Sequence, residues 1–170
     1  MNPLPPPDKD HIQAAKGWLG LLSFDEAACE LDQIGPNFRN HPDVLEIRWA
    51  LAANAENWAD ALSLAEDLRY RAPEKPEGWI YRATSLVELN QYADAYAALL
   101  QGQERFPEEE ILAYDLGCVC CALGRPDEAI KWIRRSIEIA GAEMKRRAAE
   151  DPDLKPIWKE IRRMAGPTSQ

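Results

Sequence analysis

Histidine is almost missing from this chain of 170 residues: only His11 and His41 occur. Neither stands near a serine or cysteine in a nucleophile-type turn, so the usual base–nucleophile pair of covalent catalysis has no foothold. No glycine-rich loop follows a strand-like segment, which removes the common phosphate cradle. No stretch alternates apolar and polar residues with period two, so no sheet is predicted. No apolar run approaches the roughly 20 residues that span a bilayer. The opening MNPLPPPDKD lacks the basic start and apolar core of a secretion signal. The 4 cysteines show no regular pairing, and with no export signal they point to a reducing cytoplasm.

Basic residues are scarce over most of the length. Residues 1–124 hold 9 Lys or Arg against 21 Asp or Glu, and residues 125–170 hold 11 against 8, within a net charge of −9. Phosphate binding needs a basic footprint, so nucleic acid is excluded as a partner of the body of the chain. Arg134, Arg135, Lys145, Arg146, Arg147, Arg162 and Arg163 gather near the end. They read as solvated helix faces with cations near C-termini, or as a docking face for an acidic partner, another copy included.

What is present is repetition. Ala27, Ala61, Ala95 and Ala129 stand 34 residues apart, each preceded by an acid: Glu26, Asp60, Asp94 and Glu128. Three residues earlier come Phe24, Trp58, Tyr92 and Pro126; four residues later come Leu31, Ala65, Leu99 and Ile133. A small residue lets two helices approach closely. The acid suits the positive end of the second helix dipole. Pro73 and Pro107 end units, because proline lacks an amide donor. Residues 79–89, 92–105, 110–123 and 127–140 carry apolar positions three and four apart, and links such as Asn90-Gln91 suit antiparallel helix hairpins. A fixed period of this length marks a solenoid whose units bury their apolar faces against neighbours.

These units resemble tetratricopeptide repeats. The third and fourth match best, through Trp79, Leu86, Tyr92, Ala95, Leu99 and Pro107, then Leu116, Gly117, Gly124, Ala129 and Ile133. The first is weak, and the second departs where Trp49 replaces the family's glycine or alanine, which predicts spread helices or a rotated first helix. The resemblance implies an all-α, right-handed α-α solenoid of four hairpins over residues 8–41, 42–75, 76–109 and 110–143. A proline-rich tail (1–7) precedes them, and a helical cap (144–164) and a short tail (165–170) follow. The run DPDLKPIW resembles a closing segment of bacterial repeat proteins, with Asp153 capping a final helix and Leu154, Ile157, Trp158 and Ile161 covering the last repeat.

The resemblance also implies a concave groove lined by the first helix of each hairpin. The positions are Ile12 and Lys16; Glu46, Ala50 and Ala53, with Asn54 on the rim; Ile80, Thr84 and Val87, with Glu88 on the rim; and Tyr114, Cys118 and Cys121. Tyr114, Tyr81, Ile80 and Val87 are the expected contacts for a partner peptide or helix, while Glu46, Glu88 and Asp115 select against acidic ligands. Lys16 alone offers a groove cation, which excludes a carboxylate clamp for a chaperone tail.

Cys118, Cys120 and Cys121 invite a metal or redox reading. A tetrahedral zinc site needs two further ligands, and a reactive thiol favours a helix N-terminus; these cysteines sit in the middle of a predicted helix, and Cys120 falls in the core column of Trp18, Ala52 and Leu86. Packing is the simpler role. Glu108-Glu109-Glu110 follows Pro107 and reads as the first turn of a helix. No cofactor, metal or catalytic residue is assigned. The expected function is a non-catalytic, cytoplasmic protein-interaction module with a protein or peptide partner, no nucleic acid and no membrane. The alternatives are an assembly protein self-associating through its basic cap and, more remotely, a thiol site at Cys118 and Cys121.

Overall fold

A computed structural model describes residues 5–164; residues 1–4 and 165–170, which include most of one expected tail and all of the other, lie outside the described residues. The described residues are helical, with no strand among them. The chain divides into two compact units, residues 1–85 and 86–170.

The first unit opens with α1 (Pro6–Gly20), which starts inside the expected tail because Pro6 and Pro7 fit a helical first turn, where no amide donor is needed. It continues with α2 (Phe24–Asp32), a 3₁₀ turn (Pro36–Phe38), α3 (Pro42–Asn54) and α4 (Trp58–Arg71), and holds most of α5 (Glu77–Glu88). The Asp8 carboxylate is 8% exposed and accepts the Gly35 amide at 2.6 Å, tying the start of α1 to the loop after α2. One core joins Ile12, Ala15, Ala27, Leu31, Ile34, Val44 and Ile47. A second joins Leu45, Leu68 and Ala72. At the start of α5, a Cβ added to Gly78 meets the Arg69 backbone at 2.7 Å, so glycine permits the close approach of α4 and α5.

The second unit contains α6 (Tyr92–Arg105), α7 (Glu110–Ala122), α8 (Pro126–Ala140) and α9 (Ala142–Glu150), then a 3₁₀ turn (Pro152–Ile157) and α10 (Trp158–Arg163). Its core runs from Tyr114, Cys120, Ala129, Ile133 and Ile137 to Met144, Ala148, Leu154, Ile157 and Ile161. Asp153 does not cap the final helix, which follows Ile157 with no side-chain cap; the capping side chain is that of Asp151, which accepts the Asp153 amide at 2.9 Å and opens the 3₁₀ turn. Pro156, with no amide to donate, stands in a 3₁₀ stretch, and the α-helix starts only at Trp158.

The alanine column is buried throughout, with Ala27, Ala61, Ala95 and Ala129 all at 0% exposure. A second column is defined by backbone conformation. Leu22, Glu56, Asn90 and Gly124, again 34 residues apart, all have positive φ, of 58°, 54°, 59° and 71°. The next amide of each, from Ser23, Asn57, Gln91 and Arg125, reaches back to the carbonyl of Trp18, Ala52, Leu86 and Cys120 at 2.8–2.9 Å. Every hairpin thus ends its first helix with the same left-handed closure, which satisfies carbonyls the helix leaves open.

Candidate functional site

In the first unit, the side chains expected to face a groove come from α1, α3 and α5. Ile12 is 4% exposed and belongs to the core, so it offers a ligand no surface, a correction explained by its packing against α2 and α3 residues. Lys16 is exposed and donates to Asp43 at 3.0 Å, with Glu46 at 3.8 Å. Glu46 also accepts from Lys75 at 3.3 Å, and Asp43 donates its amide to His41 Nδ1 at 3.3 Å. A chain of alternating charge therefore runs from Lys75 through Glu46 and Lys16 to Asp43.

The titrations follow from those contacts. Burial opposes ionisation of Asp43, but the Lys16 hydrogen bond and charge outweigh it and hold the carboxyl below its ordinary range. Burial likewise opposes the charge on Lys75, yet Glu46 raises its pKa overall. His41 goes the other way: lost hydration dominates and lowers its pKa, although Asp43 pulls upward. Glu46 thus spends its charge on two lysines, which weakens its expected part in turning away acidic ligands. Lys75 was missed by sequence reading because it falls in the link before Pro76, where helical periodicity carries no signal.

Beyond this charged chain the face is small and apolar. Ala50 and Ala53 are half-buried on α3, and Asn54 is exposed at its end. Ile80 and Thr84 are half-buried on α5, and the Thr84 hydroxyl donates to the Ile80 carbonyl at 3.0 Å. Tyr81 stacks on Trp49 with ring centroids 4.0 Å apart, and burial, then Glu46 and Glu77, push its hydroxyl up to about 12. The Trp49 indole also donates to the Ser85 hydroxyl at 3.1 Å.

In the second unit, Val87 is half-buried and Glu88 exposed. Tyr114 departs from expectation: it is 1% exposed, donates to Asp151 at 2.5 Å and carries the Arg147 guanidinium 4.4 Å above its ring. The closing segment covers it, so its ring is not available for contact with a partner in this fold. Cys118 and Cys121 are half-buried against the same core. All three cysteines lie in the last turns of α7, not its middle. Burial first, then nearby carboxylates, raises the thiols of Cys118 and Cys121, and burial with Glu128 pushes Cys120 up to about 12. Thiols so protonated are weak nucleophiles. Among the described residues no group of three His, Cys, Asp or Glu is placed to hold a metal ion. Asp115 is half-buried; lost hydration raises its pKa to about 7, with Arg147 opposing and Asp151 adding. No helix of the described residues is long and apolar enough to cross a membrane.

A scan of protein-family models finds no match, and neither does a search of curated proteins. Solved structures do match. The chain is similar to TTC0263, a thermophilic TPR protein of Thermus thermophilus, at 15% identity and a TM-score of 0.75, over 91% of this chain and 82% of that one. It is similar to PilF of Pseudomonas aeruginosa at 16% identity and 0.75, over 92% and 70%. It is also similar to YrrB, a TPR protein with an unusual peptide-binding site, at 17% identity and 0.62, over 90% and 78%. The fold is therefore an α-α solenoid of the tetratricopeptide kind.

Proposed function

We propose that the chain is a non-catalytic protein-interaction module that holds an extended or helical segment of a partner on the α1–α3–α5 face of its first unit. Ala50 and Ala53 leave room for a partner backbone, Ile80 and Thr84 give it a half-open apolar contact, and the Lys16–Glu46–Lys75 chain frames one side. The observation that carries this reading is the difference between equivalent positions. Those on α3 and α5 stay partly open, whereas Tyr114 on α7 is closed over. A solenoid of this fold, similar to one with a peptide-binding site, supports the class of function. The DPDL run is read with it as a closing segment of the bacterial type.

The test is selection of binding segments from a displayed random-peptide library, with wild type beside Ala50→Glu and Ile80→Glu. Segments that bind wild type and lose at least tenfold in affinity for both variants are expected. Equal recovery by all three, or no enrichment by wild type, overturns the reading.

A further inference from the structure

Four large apolar side chains stand exposed among the described residues, and three of them share the first hairpin turn: Trp18 at 37%, Leu21 at 70% and Leu22 at 74%. The same columns are covered in later hairpins. Leu86 and Cys120, the counterparts of Trp18, are 3% and 0% exposed, and Leu89 and Leu123, the counterparts of Leu21, are half-buried. Leu22 is also strained, because its φ of 58° crowds a branched side chain where the third and fourth hairpins carry Asn90 and Gly124. The turn is nevertheless fixed: the amides of Leu21, Leu22 and Ser23 donate to the carbonyls of Gly17, Leu19 and Trp18 at 3.2, 3.0 and 2.9 Å. Apolar surface held out at a conformational cost does little for the fold and points to a partner.

The charge around the turn selects that partner. Residues 21–26 and their counterparts in the next hairpin turn, 55–60, hold Asp25, Glu26, Glu56 and Asp60, all exposed, and no Lys or Arg. The matching surface therefore has an aromatic or apolar centre and a basic rim, and this chain carries one. Leu154, Ile157 and Ile161 turn one side of the closing segment into the core, while Lys155, Lys159, Arg162 and Arg163 stand exposed. Half-buried Trp158 lies among them, with the Arg162 guanidinium 5.5 Å from the centre of its ring. Among the described residues none of these four cations has a carboxylate partner.

We propose that Trp18, Leu21 and Leu22 form a knob that docks on a second copy of this chain, against the outer face of that copy's closing helix around Trp158 and Arg162. Burial of the two leucines supplies the attraction. The acids beside the knob and the cations of the closing helix set its orientation, and the same acids repel an anionic bilayer. Arg162, weakly hydrated and already over an indole, suits such a contact. The knob uses none of the side chains assigned to the groove of the first unit and does not depend on that groove.

Sedimentation of the full chain from about 10 μM to about 1 mM protein tests this, the range suited to a small, charge-rimmed contact. Wild type is expected to self-associate, and at least about tenfold less tightly at about 0.5 M salt than at about 0.05 M. Leu22→Gly is expected to weaken association by at least about tenfold while the thermal midpoint holds or rises, since glycine accepts the positive φ; loss of the contact is thereby told apart from loss of the fold. Arg162→Glu with Arg163→Glu should weaken it similarly, and adding Asp25→Lys and Glu26→Lys to the same chain should restore it. A monomer at every concentration overturns the proposal, and flotation of that monomer with phosphatidylcholine vesicles, lost in Leu22→Gly, assigns the turn to a lipid surface instead. Association that Leu22→Gly leaves unchanged, or that the combined charge reversal fails to restore, also overturns it.

Discussion

The indole of Trp49 lies flat on the phenol ring of Tyr81, with centroids 4.0 Å apart and planes within 6° of parallel. Trp49 occupies the column that holds Ala15, Ala83 and Gly117 in the other hairpins. A bulky ring in a small-residue column is accommodated because it turns toward the first helix of the next hairpin, where a ring and a hydroxyl receive it.

Replacing that ring separates its two contacts. Trp49→Phe keeps a stacking partner for Tyr81 and loses the bond to Ser85, a cost of about 1 kcal/mol. Trp49→Ala loses both and leaves a half-filled space, with an expected cost of about 2–3 kcal/mol, less than the roughly 3–5 kcal/mol of a fully buried aromatic because the site is half-buried. Urea unfolding of the two variants checks the order.

Two glycines differ in what a methyl group would strike. At Gly78 the added Cβ meets the Arg69 backbone at 2.7 Å, whereas at Gly117 it meets the Ile133 side chain at 2.5 Å. Backbone cannot turn aside and a side-chain end can, so Gly78→Ala is expected to cost about 2–3 kcal/mol and Gly117→Ala about 1. Ile133→Ala removes both the Cδ1 and the Cγ1 atoms that the added Cβ strikes, at 2.5 and 2.6 Å, so it should reduce the Gly117→Ala penalty and leave that of Gly78→Ala unchanged, as a double-mutant cycle will show.

Glu56 adopts φ 54° where the equivalent fourth-hairpin residue is Gly124. Glu56→Gly is expected to stabilise the chain by about 1 kcal/mol, because a side chain in the left-handed region is strained and glycine is not. A thermal scan should show a raised midpoint.

Glu66 lies between Arg82 and Arg69, with Arg69 Nε at 3.0 Å. Burial raises its pKa, but the hydrogen bonds from Arg82 and Arg69 outweigh that and bring it below 4.5. A depressed carboxyl contributes stability that is present above its unfolded value and disappears as pH falls through its folded value. Glu66→Gln should therefore be less stable than wild type at pH 7, and the difference should vanish near pH 2, measured by urea midpoints at both.

The repeat was legible because it depends on residue type alone. A methyl-sized residue at each close approach, an acid in the first turn of each second helix and an aromatic opening three of those four helices recur around Ala27, Ala61, Ala95 and Ala129 whatever the partners. The left-handed closures were half legible. Gly124 and Asn90 announce a positive φ, but Leu22 and Glu56 do not, since the hairpin geometry imposes it against their preference. The candidate groove was legible as positions, not as accessibility. Ile12 and Tyr114 occupy the same column as Glu46 and Ile80, yet the first two are sealed and the others partly open.

By itself, then, the sequence determined an all-helical chain of 34-residue hairpins, through local periodicity and the size and charge of single side chains. Tertiary structure alone decided that Lys75 joins Lys16 at Glu46, that Trp49 finds Tyr81, and that Asp151 closes over Tyr114. Each of these pairs residues 29–37 positions apart, a separation over which no helical pattern reports distance; only chain folding brings them within the few ångströms where charge, stacking and lost hydration act.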